Sequence, residues 1–146
     1  MTKEAGQFIT PLTLATLSGK DVYTDMFAQN NPVVTTGQAW KMGHIELAKA
    51  DAVVIAPATA NVIGKIANGL ADDFLTTLAI STKAKIFIAP AMNEDMYTNA
   101  IVQENCAKLK KHGIKFIEPV KGKLACGIVG RGHLAEVENI VKEVLK

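Results

Sequence analysis

Two apolar runs limit what this chain can fold into. Asp51-Ala-Val-Val-Ile-Ala56 ends at Pro57, and Lys85-Ile-Phe-Ile-Ala89 ends at Pro90. Near-continuous runs of this length read as strands buried on both faces of a sheet. Between them, Ile63, Ile66, Ala67, Leu70, Phe74 and Leu78 recur at helical spacing, which predicts a helix filling the gap. Strand, helix, strand is the repeating unit of a parallel α/β sheet. The pattern continues with a helix carrying Val102, Cys106 and Leu109 on one face and ending in Lys110-Lys-His-Gly113, cations in the last turn and Gly as the stop. A strand follows from Ile114 to Glu118, and a last helix places Leu134, Val137, Val141 and Val144 on one face. Ahead of the first run lie an amphipathic stretch from Phe8 to Leu17, a short strand at Asp21-Val-Tyr-Thr24, a turn at Asn30-Asn31-Pro32 and a short helix from Gly43 to Lys49.

Composition narrows the functional classes. With 146 residues and 49% hydrophobic content, the chain reads as one domain spanning 1–146, without repeats or linkers. The net charge of +2 comes from Lys residues spread along the sequence, so no basic patch for nucleic acid or anionic membrane is expected. No apolar run approaches the roughly 20 residues that span a bilayer, and no secretory pattern opens the chain. Cys106 and Cys126 sit in different contexts, and the expectation is a reduced, cytoplasmic protein.

Candidate chemistry falls at strand ends. Pro90-Ala-Met-Asn-Glu-Asp-Met-Tyr97 leaves the second run at the edge where parallel sheets bind ligands, and the Asn93 side chain suits a carboxylate or amide partner. In Pro57-Ala-Thr-Ala-Asn61 the small residues let a flat ligand approach, and the helix that follows offers N–H groups to an anion or a carbonyl. Gly64-Lys65 is not a P-loop, because Thr59 and Ile66 stand where Gly and Ser or Thr are required. His44 lies at a helix start, where the dipole favours neutral imidazole; it reads as a base or as a cap. Cys126 lies in a loop with Gly122, Gly127, Gly130 and Gly132, a pattern for a flap closing over substrate, although the thiol alone could be incidental. Cys106 reads as inert core, and His112 and His133 as caps. No His, Cys and carboxylate set has metal-site spacing.

Three motifs in order, Gly43-His-Ile-Glu-Leu47, Pro90-Ala-Met-Asn93 and Leu124-Ala-Cys-Gly127, together with the Pro57–Asp73 segment, resemble the flavin-dependent cysteine decarboxylases over essentially the whole chain. Tyr97 stands where that family usually has Trp. The resemblance implies a Rossmann-like parallel sheet with helices on both faces. Relative to the family pattern, the N-terminal strand, Gly/Ser-rich turn and helix are expected to be missing, which leaves about four strands in a stand-alone domain. It further implies FMN as cofactor and a homo-oligomer, a trimer or a multiple of trimers, with flavin sites between subunits. The implied reaction is oxidative decarboxylation of 4'-phosphopantothenoylcysteine to 4'-phosphopantetheine in coenzyme A biosynthesis. By the same resemblance His44 and Cys126 are catalytic, and Asn93 binds the substrate carboxylate. Met96, Lys123, Leu124 and Ala125 clamp the substrate, while Thr2, Phe8, Thr59, Ala60, Asn61, Val62 and Ala91 contact the flavin. Two related activities stay open: a regulatory flavoprotein-like binding subunit, and a decarboxylase of peptide C-terminal cysteine. Cys126 favours the coenzyme A pathway, since neither alternative needs it.

Overall fold

The computed structural model describes residues 1–26, 47–123, 127 and 129–146. These form two compact units, Met1–Lys49 with Ala71–Lys83, and Ala50–Leu70 with Ala84–Lys146. In the first unit, helix α1 (Pro11–Ser18) starts as its sequence dictates. Thr10 caps it by accepting from the Thr13 N–H, Pro11 occupies the first turn, and Gly19 ends it at φ 64. Tyr23 stacks on Phe74 with ring centroids 5.1 Å apart. The expected strand at Asp21–Thr24 does not form; these residues carry no regular secondary structure.

The second unit holds the parallel sheet. Strands β1 (Ala52–Ala58), β2 (Lys85–Pro90) and β3 (Lys115–Phe116) lie in the order β1-β2-β3, flanked by helices. Val53 pairs with Ile86 and Ile55 with Ile88, and Phe87 continues the ladder to Lys115. Central β2 is buried from Ile86 to Pro90, as its unbroken apolar run requires. Each fully buried aliphatic side chain such as Ile88 contributes about 1.5–3 kcal/mol. Strand β1 departs from expectation: Val53 and Ile55 are buried, but Val54 is 41% exposed. Among the described residues β1 pairs with β2 alone, so it alternates as an edge strand does.

The single helix expected between these strands is two. Helix α2 (Ala60–Ala67) stops at Asn68, with Gly69 at φ 70, and α3 (Phe74–Ser81) begins afresh. The break has a local cause. Asp73 accepts from the Thr76 N–H while the Thr76 hydroxyl accepts from the Asp73 N–H, a reciprocal capping box that starts a new helix. Thr76 is fully buried, yet its polar atoms are satisfied.

Helices α4 (Glu94–Thr98) and α5 (Ala100–Lys111) follow β2, and α5 packs against α2. Buried Cys106 and Leu109 lie on α5 as expected, and burial pushes the free Cys106 thiol pKa up. The Gly-rich segment contributes two antiparallel strands, β4 (Val120–Lys123) and β5 (Val129–His133), a hairpin where only a flap was expected. Helix α6 (Val137–Val144) keeps only part of the expected face inward, with Leu134 and Val144 packed against the core. Ile140 joins Phe87, Ala89, Ile117 and Ala135 in the core, whereas Val137 and Val141 are exposed. No described helix is long and apolar enough to cross a membrane.

Candidate functional site

The parallel pairing of β1 and β2 delivers two of the sequence motifs to one place. Ala58 is in register with Pro90, and the Ala91 N–H donates to the Ala58 carbonyl at 3.0 Å. The chain after β1 and the chain after β2 thus leave the sheet side by side at its carboxyl edge. On the first exit, Thr59 is extended (φ −81, ψ 163) and caps α2, its hydroxyl accepting from the Val62 N–H at 3.4 Å. By helix geometry the Ala60 and Asn61 N–H groups have no acceptor inside the helix, and they carry the positive end of its dipole. Val62 itself is buried, so its backbone rather than its side chain belongs to this edge.

On the second exit, Asn93 caps α4. Its Oδ1 accepts from the Asp95 N–H at 2.8 Å, and the amide NH₂ is the donor end of the side chain. Met96 is 48% exposed, and Tyr97 is the buried residue of α4. The Tyr97 hydroxyl donates to Glu118 Oε2 at 2.6 Å, and Lys110 Nζ donates to Glu118 Oε1 at 2.8 Å. Burial raises the Tyr97 pKa and the Glu118 carboxylate raises it further, so the phenol stays a donor. Burial opposes ionisation of Glu118, but the hydrogen bonds from Lys110 and Tyr97 and the field of Arg131 outweigh it and hold the carboxyl below its usual range.

The depressed Glu118 pKa has a consequence for stability. Its contribution is complete above the ordinary glutamate range and is lost as pH falls through the folded value. Wild type and Glu118→Gln are therefore expected to differ near neutrality and to converge on acidification, as chemical unfolding across pH would record. Because the Glu118 side chain is 47% exposed, the difference should be no more than about 1 kcal/mol.

The hairpin rests on the Asn93 loop through its glycines. Met92 N–H donates to the Gly132 carbonyl at 3.0 Å, and Gly130 lies against Glu94. Gly132 has φ 147, and a Cβ there would fall on the Met92 carbonyl oxygen. Gly132→Ala is expected to destabilise the protein by about 3 kcal/mol or more in urea unfolding, combining backbone strain with the clash. Gly130→Ala should cost less, since the first atom it meets is the end of the flexible Glu94 side chain.

Of the sequence candidates, Thr59, Ala60, Asn61, Val62, Ala91, Asn93 and Met96 lie on these two exits. Lys123 ends β4, paired through its backbone with Val129. Thr2 and Phe8 belong to the first unit, where the Thr2 hydroxyl accepts from the Ala5 N–H and Phe8 is exposed. His44, Leu124, Ala125 and Cys126 lie outside the described residues. Sequence reasoning missed Glu118 and Gly132 as partners of the Asn93 loop. For Glu118 the one signal was a carboxylate closing an apolar strand before Pro119.

These features define an α/β protein with a candidate ligand edge at the carboxyl ends of β1 and β2. The chain belongs to the flavoprotein family, which matches it over residues 1–146. The coenzyme A biosynthesis bifunctional protein CoaBC of Bacillus subtilis (strain 168) is 51% identical over 143 residues, 97% of this chain and 34% of the relative. The chain thus spans about a third of that protein's length. A probable phosphopantothenoylcysteine decarboxylase of Streptococcus mutans serotype c is 44% identical over 147 residues, 99% of this chain and 78% of the relative. Among solved structures, a PPC decarboxylase cysteine-to-serine mutant complexed with pantothenoylaminoethenethiol matches with a TM-score of 0.85 at 36% identity, covering 99% of this chain and 78% of that one.

Proposed function

We propose that this chain decarboxylates 4'-phosphopantothenoylcysteine to 4'-phosphopantetheine in coenzyme A biosynthesis, with FMN as cofactor. The observation that carries the reading is the convergence of the Thr59–Asn61 helix start and the Asn93 loop, tied by the Ala91–Ala58 hydrogen bond. It is supported by the names of the relatives and by the ethenethiol, the decarboxylated skeleton, bound to the related mutant.

The donor set fits a flavin. Thr59, the N–H groups of Ala60 and Asn61 and the Asn61 amide offer donors to a polar ring edge, and the small, partly exposed Ala60 and Ala91 let a flat ring approach beside them. Bound there, FMN would supply reversible two-electron chemistry, accepting electrons from the cysteinyl thiol and returning them after carbon dioxide has left. The chain's own groups bind, orient and move protons. Asn93 donates its amide N–H to the substrate carboxylate and holds it in the geometry for loss. His44 takes the thiol proton. Once the substrate is a thioaldehyde, carbon dioxide departs because its electron pair delocalises onto sulfur. Cys126 then gives a proton to the resulting enethiol carbon as the double bond is reduced. Lys123, Leu124, Ala125 and Met96 are assigned to substrate binding, and Thr2 and Phe8 to the flavin.

We also take the protein to be one decarboxylase domain that acts in the cytoplasm as a homo-oligomer, a trimer or a multiple of trimers; sedimentation equilibrium tests the oligomer. The functional reading is tested by titrating the protein with FMN and following flavin absorbance and fluorescence. Saturable binding that weakens on Thr59→Val supports it, and absence of saturable binding at high protein concentration overturns it.

A further inference from the structure

We propose that Tyr97 and Glu118 are positioning residues, a bracket that sets the orientation of the Asn93 amide through the short helix Asn93 caps. The inference rests on the reading of Asn93 as the carboxylate-binding residue and adds what fixes it in place.

Helix α4 has five residues, too few to hold its own shape or direction in water. Its orientation therefore comes from its ties, to the hairpin at Met92 and Glu94 and, through Tyr97, to α5 and Glu118. The Tyr97 N–H donates to the Asn93 carbonyl at 2.9 Å, closing the turn that begins at the cap. The Tyr97 carbonyl accepts from Gln103 Nε2 of α5 at 2.5 Å. The Tyr97 hydroxyl reaches Glu118, just beyond β3, whose other carboxylate oxygen is held by Lys110 of α5. One residue thus joins the Asn93 turn to α5 and to the segment after the sheet.

The Asn93 side chain is in turn locked to α4, because its Oδ1 is bound to the Asp95 N–H. A tilt of α4 is passed directly to the donor end of the amide. Tyr97 is only 6% exposed, so its ring packs whether or not its hydroxyl is present, and the hydroxyl supplies direction rather than bulk.

The test is a double-mutant cycle on FMN-saturated protein, read by calorimetry with two probes. The serine analogue of the substrate keeps the carboxylate and cannot be oxidised at sulfur; 4'-phosphopantetheine lacks the carboxylate. Tyr97→Phe is expected to weaken the serine analogue about tenfold while leaving phosphopantetheine within about twofold. In an Asn93→Ala background the same substitution should have no further effect on the analogue, because the group it positions is gone. A merely structural role would weaken both probes, or would weaken the analogue equally in both backgrounds, and either result overturns the proposal. Glu118→Ala removes the acceptor, leaves the Tyr97 ring in place and should show the same selectivity should Tyr97→Phe fold poorly; equal affinity for the analogue in a folded Glu118→Ala variant also overturns it. If wild type binds neither probe, the functional reading fails, a result distinct from wild-type binding that Tyr97→Phe does not alter.

Discussion

Cys126→Ser is expected to separate the reaction into two halves, releasing carbon dioxide but failing to complete phosphopantetheine. Serine keeps the size and a weak donor, but a hydroxyl is a far poorer acid than a thiol, whose ordinary pKa is near 8.5. Thiol oxidation and carboxylate loss precede the step that needs this proton, so both should survive. Overall the substrate gives up carbon dioxide and takes up one proton, with no net oxidation. The intermediate enethiol differs from the product by a pair of hydrogens that must be returned to carbon. Losing a well-placed general acid should slow that return by about 10²–10⁴-fold. Single-turnover mass spectrometry, run with FMN-saturated protein, should then show roughly one equivalent of carbon dioxide and a product lighter than phosphopantetheine by those hydrogens. Phosphopantetheine formed at the wild-type rate would make Cys126 an incidental loop thiol. Loss of carbon dioxide release with flavin still bound would place the residue earlier in the sequence of steps.

Asn93→Asp is expected to abolish turnover while leaving the fold intact. Aspartate caps helices as well as asparagine does, so the Asp95 N–H keeps its acceptor and α4 keeps its start. The substituted side chain has lost the NH₂ donor, and its carboxylate faces the substrate carboxylate at a desolvated edge. The missing hydrogen bond and the like-charge contact together should cost about 4 kcal/mol, roughly a thousandfold in kcat/KM. FMN affinity and thermal midpoint should move little, since Asn93 is not among the residues assigned to the flavin. A folded, FMN-loaded variant with unchanged kcat/KM would remove Asn93 from the site.

What the sequence made legible, and what it did not, follows from the range of the interactions involved. Strand β2 could be read directly, because an unbroken apolar run ended by Pro90 has few alternatives, and the loop after it carried its own cap in Asn93. Strand β1 had an equally apolar sequence, but whether Val54 is covered depends on a neighbour that no local pattern encodes. The gap between the strands looked like one helix because apolar spacing continues across Asn68–Asp73; the pairing of Asp73 with Thr76 decides that it is two. In α6 periodicity favoured a face of which Val144 packs on the core while Val137 and Val141 stay exposed, and it passed over Ile140, the residue the core takes in. The hairpin was hidden by its glycines, which read as freedom in sequence and serve as close approach in space: Gly132 admits the Met92 carbonyl, and Gly130 admits Glu94. The Tyr97–Glu118 bond joins residues 21 positions apart and has no sequence signature. The remaining site candidates, His44 and Cys126 among them, rest on motif order alone, which suggests chemistry without locating atoms.

The most direct measurement of the central claim uses phosphopantothenoylcysteine labelled in its cysteinyl carboxylate, given to FMN-saturated protein. Labelled carbon dioxide and phosphopantetheine should appear together in equal amounts, with no external oxidant or reductant consumed, and flavin removal should abolish both. Intact labelled substrate after prolonged incubation with protein that demonstrably holds FMN would contradict the account.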